Sequence, residues 1–216
     1  MKKLIFGYWD IHGLGLPVRE LLEVAGADYE EKIYYETNRD EWFNEKYKLG
    51  LFFPNIPYLI DGENKITEHL AIIRYIARKY NLNASNEKEA IIIDQAESHI
   101  AQISDDLFMV CYDNTSFEKS YKEYFDSIDD KLEGLENLLS KNKYIVGDRL
   151  TYVDVYLHVY LVFLNIYDEK VLQKKPNLLK FLNNMNELPS IKNYKNSNRW
   201  KERRFCGLIA HYKGTY

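Results

Sequence analysis

Pro57 stands directly before the apolar triplet Tyr58-Leu59-Ile60, and this junction constrains the fold of the chain more than any other feature. Proline has no N–H to give to a sheet ladder, so it is confined to edges, bulges and the first residue of a strand. Its position before a strand makes a cis X–Pro turn the expected geometry for the loop Pro54-Asn55-Ile56-Pro57. The strand that follows turns at Asp61-Gly62 and returns through Lys65-Ile66-Thr67, a hairpin signal.

Strand and helix signals alternate ahead of that hairpin. Lys3 to Tyr8 reads as a short buried strand. Pro17 suits the first turn of a helix whose apolar face is Leu21, Leu22, Val24 and Ala25, with Gly26 as its C-cap. Tyr29 to Tyr35 reads as a second strand. Arg39 to Leu49 reads as a helix with Trp42, Phe43, Tyr47 and Leu49 on its apolar side and Gly50 stopping it. After the hairpin, Ala71, Ile72, Tyr75, Ile76 and Tyr80 fall on one helical stripe, with Arg74, Arg78 and Lys79 outside it. The order β-α-β-α-β-β-α is that of a thioredoxin-like domain.

Beyond the polar stretch Asn81 to Asn86, read as a linker, the pattern is helical. Segments run from Glu87 to Tyr112, from Phe117 to Leu139, and onward from Thr151. Thr151-Tyr152-Val153-Asp154 is a capping-box variant with Asp in place of Glu or Gln. It opens the run Val155 to Leu164, apolar nearly all round, so this helix is expected at the centre of its domain. The expected architecture is α/β plus all-α: a thioredoxin-like domain over residues 1–83 and an all-helical domain over 87–216. A chain of 216 residues is long enough to give each its own core.

The net charge of −4 argues against nucleic acid as a partner. Asp10 and His12 interrupt the N-terminal apolar run before a signal sequence forms, and no stretch approaches the length of a membrane span. Cys111 and Cys206 lie far apart in sequence with no metal or CxxC spacing, and the five histidines show none either, so no metal is expected. Asn83-Ala84-Ser85 and Asn114-Thr115-Ser116 match the glycosylation pattern, but without a signal they are read as chance. The expected location is a reduced cytoplasm. Arg199, Lys201, Arg203 and Arg204 read as a solvated basic tail. Cys206 is read either as lining a pocket or as a buried structural thiol.

Four segments carry a family likeness: Gly7-Tyr8-Trp9-Asp10-Ile11, Trp42 to Leu51, Phe53 to Gly62, and Ala71 to Lys79. Together they closely resemble glutathione transferases of the mu class, and Cys111-Tyr112 and Thr151 to Asp154 keep the register further on. The resemblance implies that reduced glutathione is a co-substrate, with no other cofactor, and that its thiolate attacks a hydrophobic electrophile. It implies that Tyr8 holds the thiolate, a role suited to a phenol at the end of a strand, whose O–H favours the charged sulfur. It further implies Trp9, Arg39, Trp42 and Lys46 at the glycine end of the tripeptide, where the two cations suit a carboxylate. Asn55, Ile56 and Pro57 would meet the cysteinyl backbone, Leu14 would lie against the same ligand, and Tyr112 would assist some additions. A homodimer is implied, with Phe53 inserted into the partner.

Two positions depart from the family. Glu68-His69 stands where mu enzymes present Gln-Ser to the γ-glutamyl end of glutathione. Glu68 suits the ammonium group, and the helix N-terminus still offers its N–H and dipole to a carboxylate. His69 is bulkier than serine; bound as an imidazolium, it would make affinity rise below about pH 6.5. Gln102 replaces an Asp that reaches the partner's glutathione in the family, with Asp105 and Asp106 a turn onward and Asp106 read as solvated. These departures leave open a non-catalytic structural or ligand-binding protein, and a glutathione-dependent isomerase remains a further alternative.

Overall fold

Four strands form one mixed sheet in the order β2-β1-β3-β4. In this computed structural model, β1 (Leu4–Trp9) runs parallel to β2 (Tyr29–Tyr34) and antiparallel to β3 (Tyr58–Asp61), which pairs in turn with β4 (Asn64–Thr67). Residues 3–212 and Gly214 are described; Met1, Lys2, Lys213, Thr215 and Tyr216, at the outer ends of the two expected domain ranges, lie outside the described residues. The Ile56–Pro57 peptide is cis, as its place before β3 led us to expect. Gly7 faces Tyr58 across the β1–β3 ladder, and a Cβ there would fall 2.2 Å from the Tyr58 ring. The missing side chain makes room for that ring, which stacks on Trp42 at 6.0 Å.

Three helices accompany the sheet: α1 (Leu16–Val24), α2 (Arg39–Glu45) and α3 (His69–Lys79). Pro17 lies in the first turn of α1, and Gly26 just past its end takes φ +62°. The helix expected from Arg39 to Leu49 stops earlier, at Glu45, and only Trp42 on it is buried. Phe43 and Tyr47 are instead exposed, and the cationic chains of Arg39 and Lys46 lie over them. A helix this short turns a single large residue to the sheet, and its other aromatics find cations rather than a core. On α3 the buried stripe is Ile72, Ile73, Ile76 and Ala77. Tyr75 sits at the rim, donating to the Asp61 carboxylate at 2.6 Å.

The remainder is helical: α4 (Glu87–Tyr112), α5 (Phe117–Leu139), α6 (Tyr152–Tyr167), α7 (Glu169–Gln173), α8 (Pro176–Asn186) and α9 (Pro189–Lys195). Every residue of α6 from Tyr152 to Leu164 is buried, because it packs against α4 and α8 as well as α1. Buried polar ties from α4 and α6 help join the sheet half to the helical half. His158 on α6 meets Glu20 on α1 at 2.7 Å, both fully buried. Arg74 on α3 pairs with Glu97 on α4, which also accepts from the Tyr152 hydroxyl at 2.6 Å. The segment Asn81 to Asn86 is pinned rather than loose: Arg149 donates to the Asn83 carbonyl at 2.9 Å, and the Tyr152 N–H donates to the Leu82 carbonyl at 2.9 Å.

Asp154 closes the start of α6. Its carboxylate accepts from the Thr151 N–H and hydroxyl and from the Ile145 N–H, all at 2.8 Å. Replacing it with Ala removes the cap and strands two buried N–H groups, so Asp154→Ala is expected to cost about 2–4 kcal/mol. Denaturant unfolding checks this: the midpoint should fall with the slope unchanged.

Candidate active site

Tyr8 lies near the end of β1 with its ring buried at 5% exposure. Directly after β1 the chain folds back over the ring. Gly13 adopts φ +34°, and a Cβ on it would stand 2.9 Å from the Tyr8 hydroxyl; a Cβ on Gly15 would stand 2.4 Å from the ring. These two glycines let the loop approach so closely that the Leu14 N–H donates to the Tyr8 hydroxyl at 3.1 Å. The hydroxyl accepts that bond, which leaves its own proton free for a ligand. Burial raises the Tyr8 pKa, with the Leu14 bond and the nearby Arg19 charge opposing it. The phenol is therefore a donor at neutral pH and not a base.

Arg19, which sequence reasoning passed over, holds this loop. Its guanidinium is fully buried and lies 5.8 Å from the Tyr8 ring centroid. It donates to the Ile11 carbonyl at 2.7 Å, the Trp9 carbonyl at 3.3 Å and the Glu31 carboxylate at 2.6 Å. A lone arginine in a helix gives no sequence signal of such a role. The pair Gly13 and Gly15, flanking Leu14, was the clue available.

The expected ligand residues fall into three groups. Arg39 lies 5.9 Å over the Trp9 ring and 5.6 Å from that of Phe43, and Lys46 lies 5.0 Å over Phe43, so two cations share one aromatic shelf. Trp42 stands behind the shelf, 3% exposed and edge-on to Tyr34. Asn55 is exposed at the end of the loop before β3, with Ile56 and Pro57 buried. Glu68 is exposed with φ +67°, an uncommon conformation for a side chain of its kind, at the N-cap of α3.

His69 turns inward. Its ring lies 5.9 Å from that of Tyr156 on α6 and helps line a narrow crevice of about 10 Å³ between the two halves, with Gly13, Leu14, Phe108 and Phe205 among the walls. Burial lowers its pKa to about 4, with Arg74 adding to the shift and Glu97 opposing it. The imidazolium considered from the sequence is thus absent at neutral pH. Tyr112, at the end of α4, has its hydroxyl on the Gly207 N–H at 2.8 Å. Gln102 is exposed, and Asp106, read as solvated, instead pairs with Lys131 at 2.9 Å.

The basic tail is solvated only in part: Arg199 and Lys201 are exposed, while Arg203 is buried and Arg204 half-buried. Arg199 pairs with Glu23 at 2.6 Å, Arg203 with Asp10 at 2.7 Å and Arg204 with Glu36 at 3.0 Å. Lys201 is exposed without an ion pair among the described residues. The backbone carbonyls of Arg204 and Phe205 accept from the His12 and Gly13 N–H groups at 2.7 and 2.9 Å. The segment after α9 is therefore a strap across the mouth of the cleft. Cys206 in it is fully buried and stands outside the crevice lining, which its neighbour Phe205 supplies. Among the described residues no His, Cys, Asp and Glu cluster is placed to hold a metal ion, and no helix is long and apolar enough to cross a membrane.

A thioredoxin-like sheet half carrying Tyr8, joined to a helical half across a narrow crevice, defines the class. The family model for the glutathione S-transferase N-terminal domain matches residues 5–78, and that for the C-terminal domain matches residues 102–198. The chain belongs to the glutathione S-transferase family. Its relatives lie in the mu class: it is 39% identical to "Glutathione S-transferase Mu 1" of Mus musculus, over 97% of this chain and 98% of that one. With "Glutathione S-transferase Mu 1" of Homo sapiens it shares 40% identity over 96% and 97%. The crystal structure of the glutathione S-transferase Blo t 8 superposes with a TM-score of 0.89 at 32% identity, covering 95% of this chain and 98% of that one.

The His69 environment predicts a pH dependence of stability. In the unfolded chain the imidazole takes up a proton near pH 6.5, in the folded protein only near 4. Acidification across that window favours the unfolded chain, so stability held above pH 6.5 is lost as pH falls. Relative to His69→Gln, the wild type should lose about 1–2 kcal/mol more between pH 7 and 5. Urea titrations at the two pH values measure this, and equal losses would show that the ring is solvated.

Proposed function

We propose that this protein conjugates reduced glutathione to hydrophobic electrophiles, with the Tyr8 hydroxyl holding the glutathione thiolate. The observation that carries the reading is the hydrogen-bond state of that hydroxyl: it already accepts from Leu14, and burial keeps it protonated. Its remaining capacity is one donation, directed at whatever anion occupies the cleft. Donation to a thiolate favours the charged sulfur and lowers the thiol pKa. No covalent bond to the enzyme is needed, since proximity and thiolate stabilisation supply the acceleration.

In this reading residues 1–83 bind glutathione and residues 87–216 supply the site for the second substrate. Arg39 and Lys46, on their shelf with Trp9, take the glycyl carboxylate, and Trp42 holds the shelf in place from behind. Asn55 and Ile56 meet the cysteinyl backbone ahead of Pro57, and Leu14 packs against it. The Glu68 carboxylate suits the ammonium group. At the N-terminus of α3 the His69 backbone N–H is offered to the γ-glutamyl carboxylate, while its ring belongs to the crevice. Tyr112 stands beside the strap as a second hydroxyl. The compartment proposed is the cytoplasm.

Tyr8→Phe tests the central claim. The ring keeps its packing while the donor is lost, so turnover with an aromatic electrophile should fall about 10- to 100-fold, or about 1.4–2.7 kcal/mol. Glutathione affinity by calorimetry should change little. Equal turnover in both proteins would remove Tyr8 from the mechanism. The narrowness of the crevice between His69 and Tyr156 favours a second reading, a ligand-binding protein without turnover. Glutathione binding in the wild type with no conjugation of any electrophile tested would select it.

The assembly proposed is a homodimer in which Phe53 of each copy enters the partner's groove between α4 and α5. Phe52 and Phe53 are 92% and 70% exposed on one loop, far more apolar surface than a loop in water requires. The groove is lined by Ile92, Ala96, Leu135 and Leu138, a fit for an aromatic ring. A central aromatic anchor commonly contributes about 2 kcal/mol or more, so Phe53→Ala should weaken the dimer at least roughly 30-fold. Sedimentation across a dilution series measures it, and a monomeric wild type would exclude the interface.

A further inference from the structure

Cys111, next to last in α4, and Cys206, in the strap, are distant in sequence yet meet in the interior, both fully buried. Their sulfurs flank one hydroxyl: Tyr167 Oη lies 2.7 Å from Cys111 Sγ and 3.8 Å from Cys206 Sγ. The chain beyond Cys206 stays alongside, since the Cys111 carbonyl accepts from the His211 and Tyr212 N–H groups at 2.8 and 3.3 Å. The Cys111 thiol lowers the Cys206 pKa by hydrogen bonding to its sulfur, whereas burial raises the Cys111 pKa. The Cys111 thiol also lies 2.9 Å from the Leu107 carbonyl, so both sulfurs are held on the two sides of the Tyr167 hydroxyl.

We propose that Cys111 and Cys206 form a reversible intramolecular disulfide when the protein meets a hydroperoxide, tying the strap to the end of α4. The Cys206 thiolate attacks one peroxide oxygen, the O–O bond breaks, and Cys206 becomes a sulfenic acid, while the other oxygen leaves as alkoxide or hydroxide and takes up the proton that the Cys206 thiol gave up, ending as an alcohol or water. The Cys111 sulfur then attacks the sulfenic sulfur and the S–O bond breaks. The departing hydroxide takes the Cys111 proton and leaves as water. Two thiols have been oxidised by two electrons and the peroxide reduced by the same two. A dithiol reverses the bond by exchange.

The site has a consequence for the cleft because the strap residues on either side of Cys206 touch it. Phe205 holds the Gly13 N–H through its carbonyl, and Gly207 donates to the Tyr112 hydroxyl. A disulfide at Cys206 fixes both contacts, so the strap can no longer lift away from the cleft. The proposal rests on the thiols alone, and its main readout is independent of any conjugation activity.

The full-length protein, reduced and freed of reductant, is treated with hydrogen peroxide and digested without reduction for mass spectrometry. The expected result is one linked peptide pair containing Cys111 and Cys206, short by two hydrogens, with both titratable thiols lost together. Dithiothreitol should restore them, and the oxidised wild type should melt at a higher temperature than the reduced form. Cys206→Ser and Cys111→Ser, each able to fold with a hydroxyl in place of the thiol, should give no linked pair and no such rise. Thiols that survive peroxide, a sulfinic acid on either cysteine without the linked pair, or a link between two copies of the chain would each overturn the proposal.

Discussion

The geometry around Tyr8 depends on one buried charge, the guanidinium of Arg19. Taking an arginine out of water costs several kcal/mol unless its donors are met. Here they are met by the Glu31 carboxylate on β2 and by the carbonyls of Trp9, the last residue of β1, and Ile11 just beyond it. The requirement works in both directions. Arg19 needs those carbonyls turned inward, and turning them inward bends the following loop back over β1. That bend brings Gly13, Leu14 and Gly15 against the Tyr8 ring, where only glycine at the first and third positions avoids a clash. The phenol is thereby held by its ring from below and by its oxygen from one side.

A second dependence runs from α6 outward. A helix buried on all sides must be approached by polar groups only where they are paired, and His158 with Glu20 and Tyr152 with Glu97 obey this. The first pair crosses between the sheet half and the helical half, and Glu97 makes a second crossing through Arg74 on α3, so the crevice walls are fixed relative to one another. The strap completes the enclosure. Its three arginines each find an acid on the sheet half, and Arg203 does so while buried. These contacts anchor Phe205 beneath the cleft, where its ring stacks on Phe163 of α6 at 4.4 Å.

What the sequence made legible was local. Pro57, the turn at Asp61-Gly62 and the Thr151 to Asp154 cap each act through neighbours in the chain, and each appears where the residues led us to expect. The apolar face given to α2 failed because Phe43 and Tyr47 satisfy their rings with cations, a pairing invisible to a hydrophobic pattern. The tail was misjudged in part, for a related reason: a run of arginines looks solvated until its acids, at Asp10, Glu23 and Glu36, are folded beside it. Cys111 and Cys206 looked unrelated on spacing alone. At the candidate site, the positions came from family resemblance, while the inward turn of His69 and the hub at Arg19 required coordinates.

Burial sets the protonation of Tyr8 and of His69, and it sets them in opposite chemical senses. Low dielectric disfavours charge on either, so the Tyr8 phenol keeps its proton and the His69 imidazole does not gain one. The walls around the crevice therefore carry no net charge from these side chains at neutral pH, and the cations Arg39 and Lys46 stay on the exterior shelf. An anion entering beside Tyr8 would meet a hydrogen-bond donor, with the nearby Arg19 charge already paired to Glu31. A donor in a dry site lowers a thiol pKa without forming the tight ion pair that would blunt the sulfur as a nucleophile. An imidazolium at position 69 would have supplied such a counter-ion, and burial of the His69 ring, with the Arg74 charge nearby, is what prevents it.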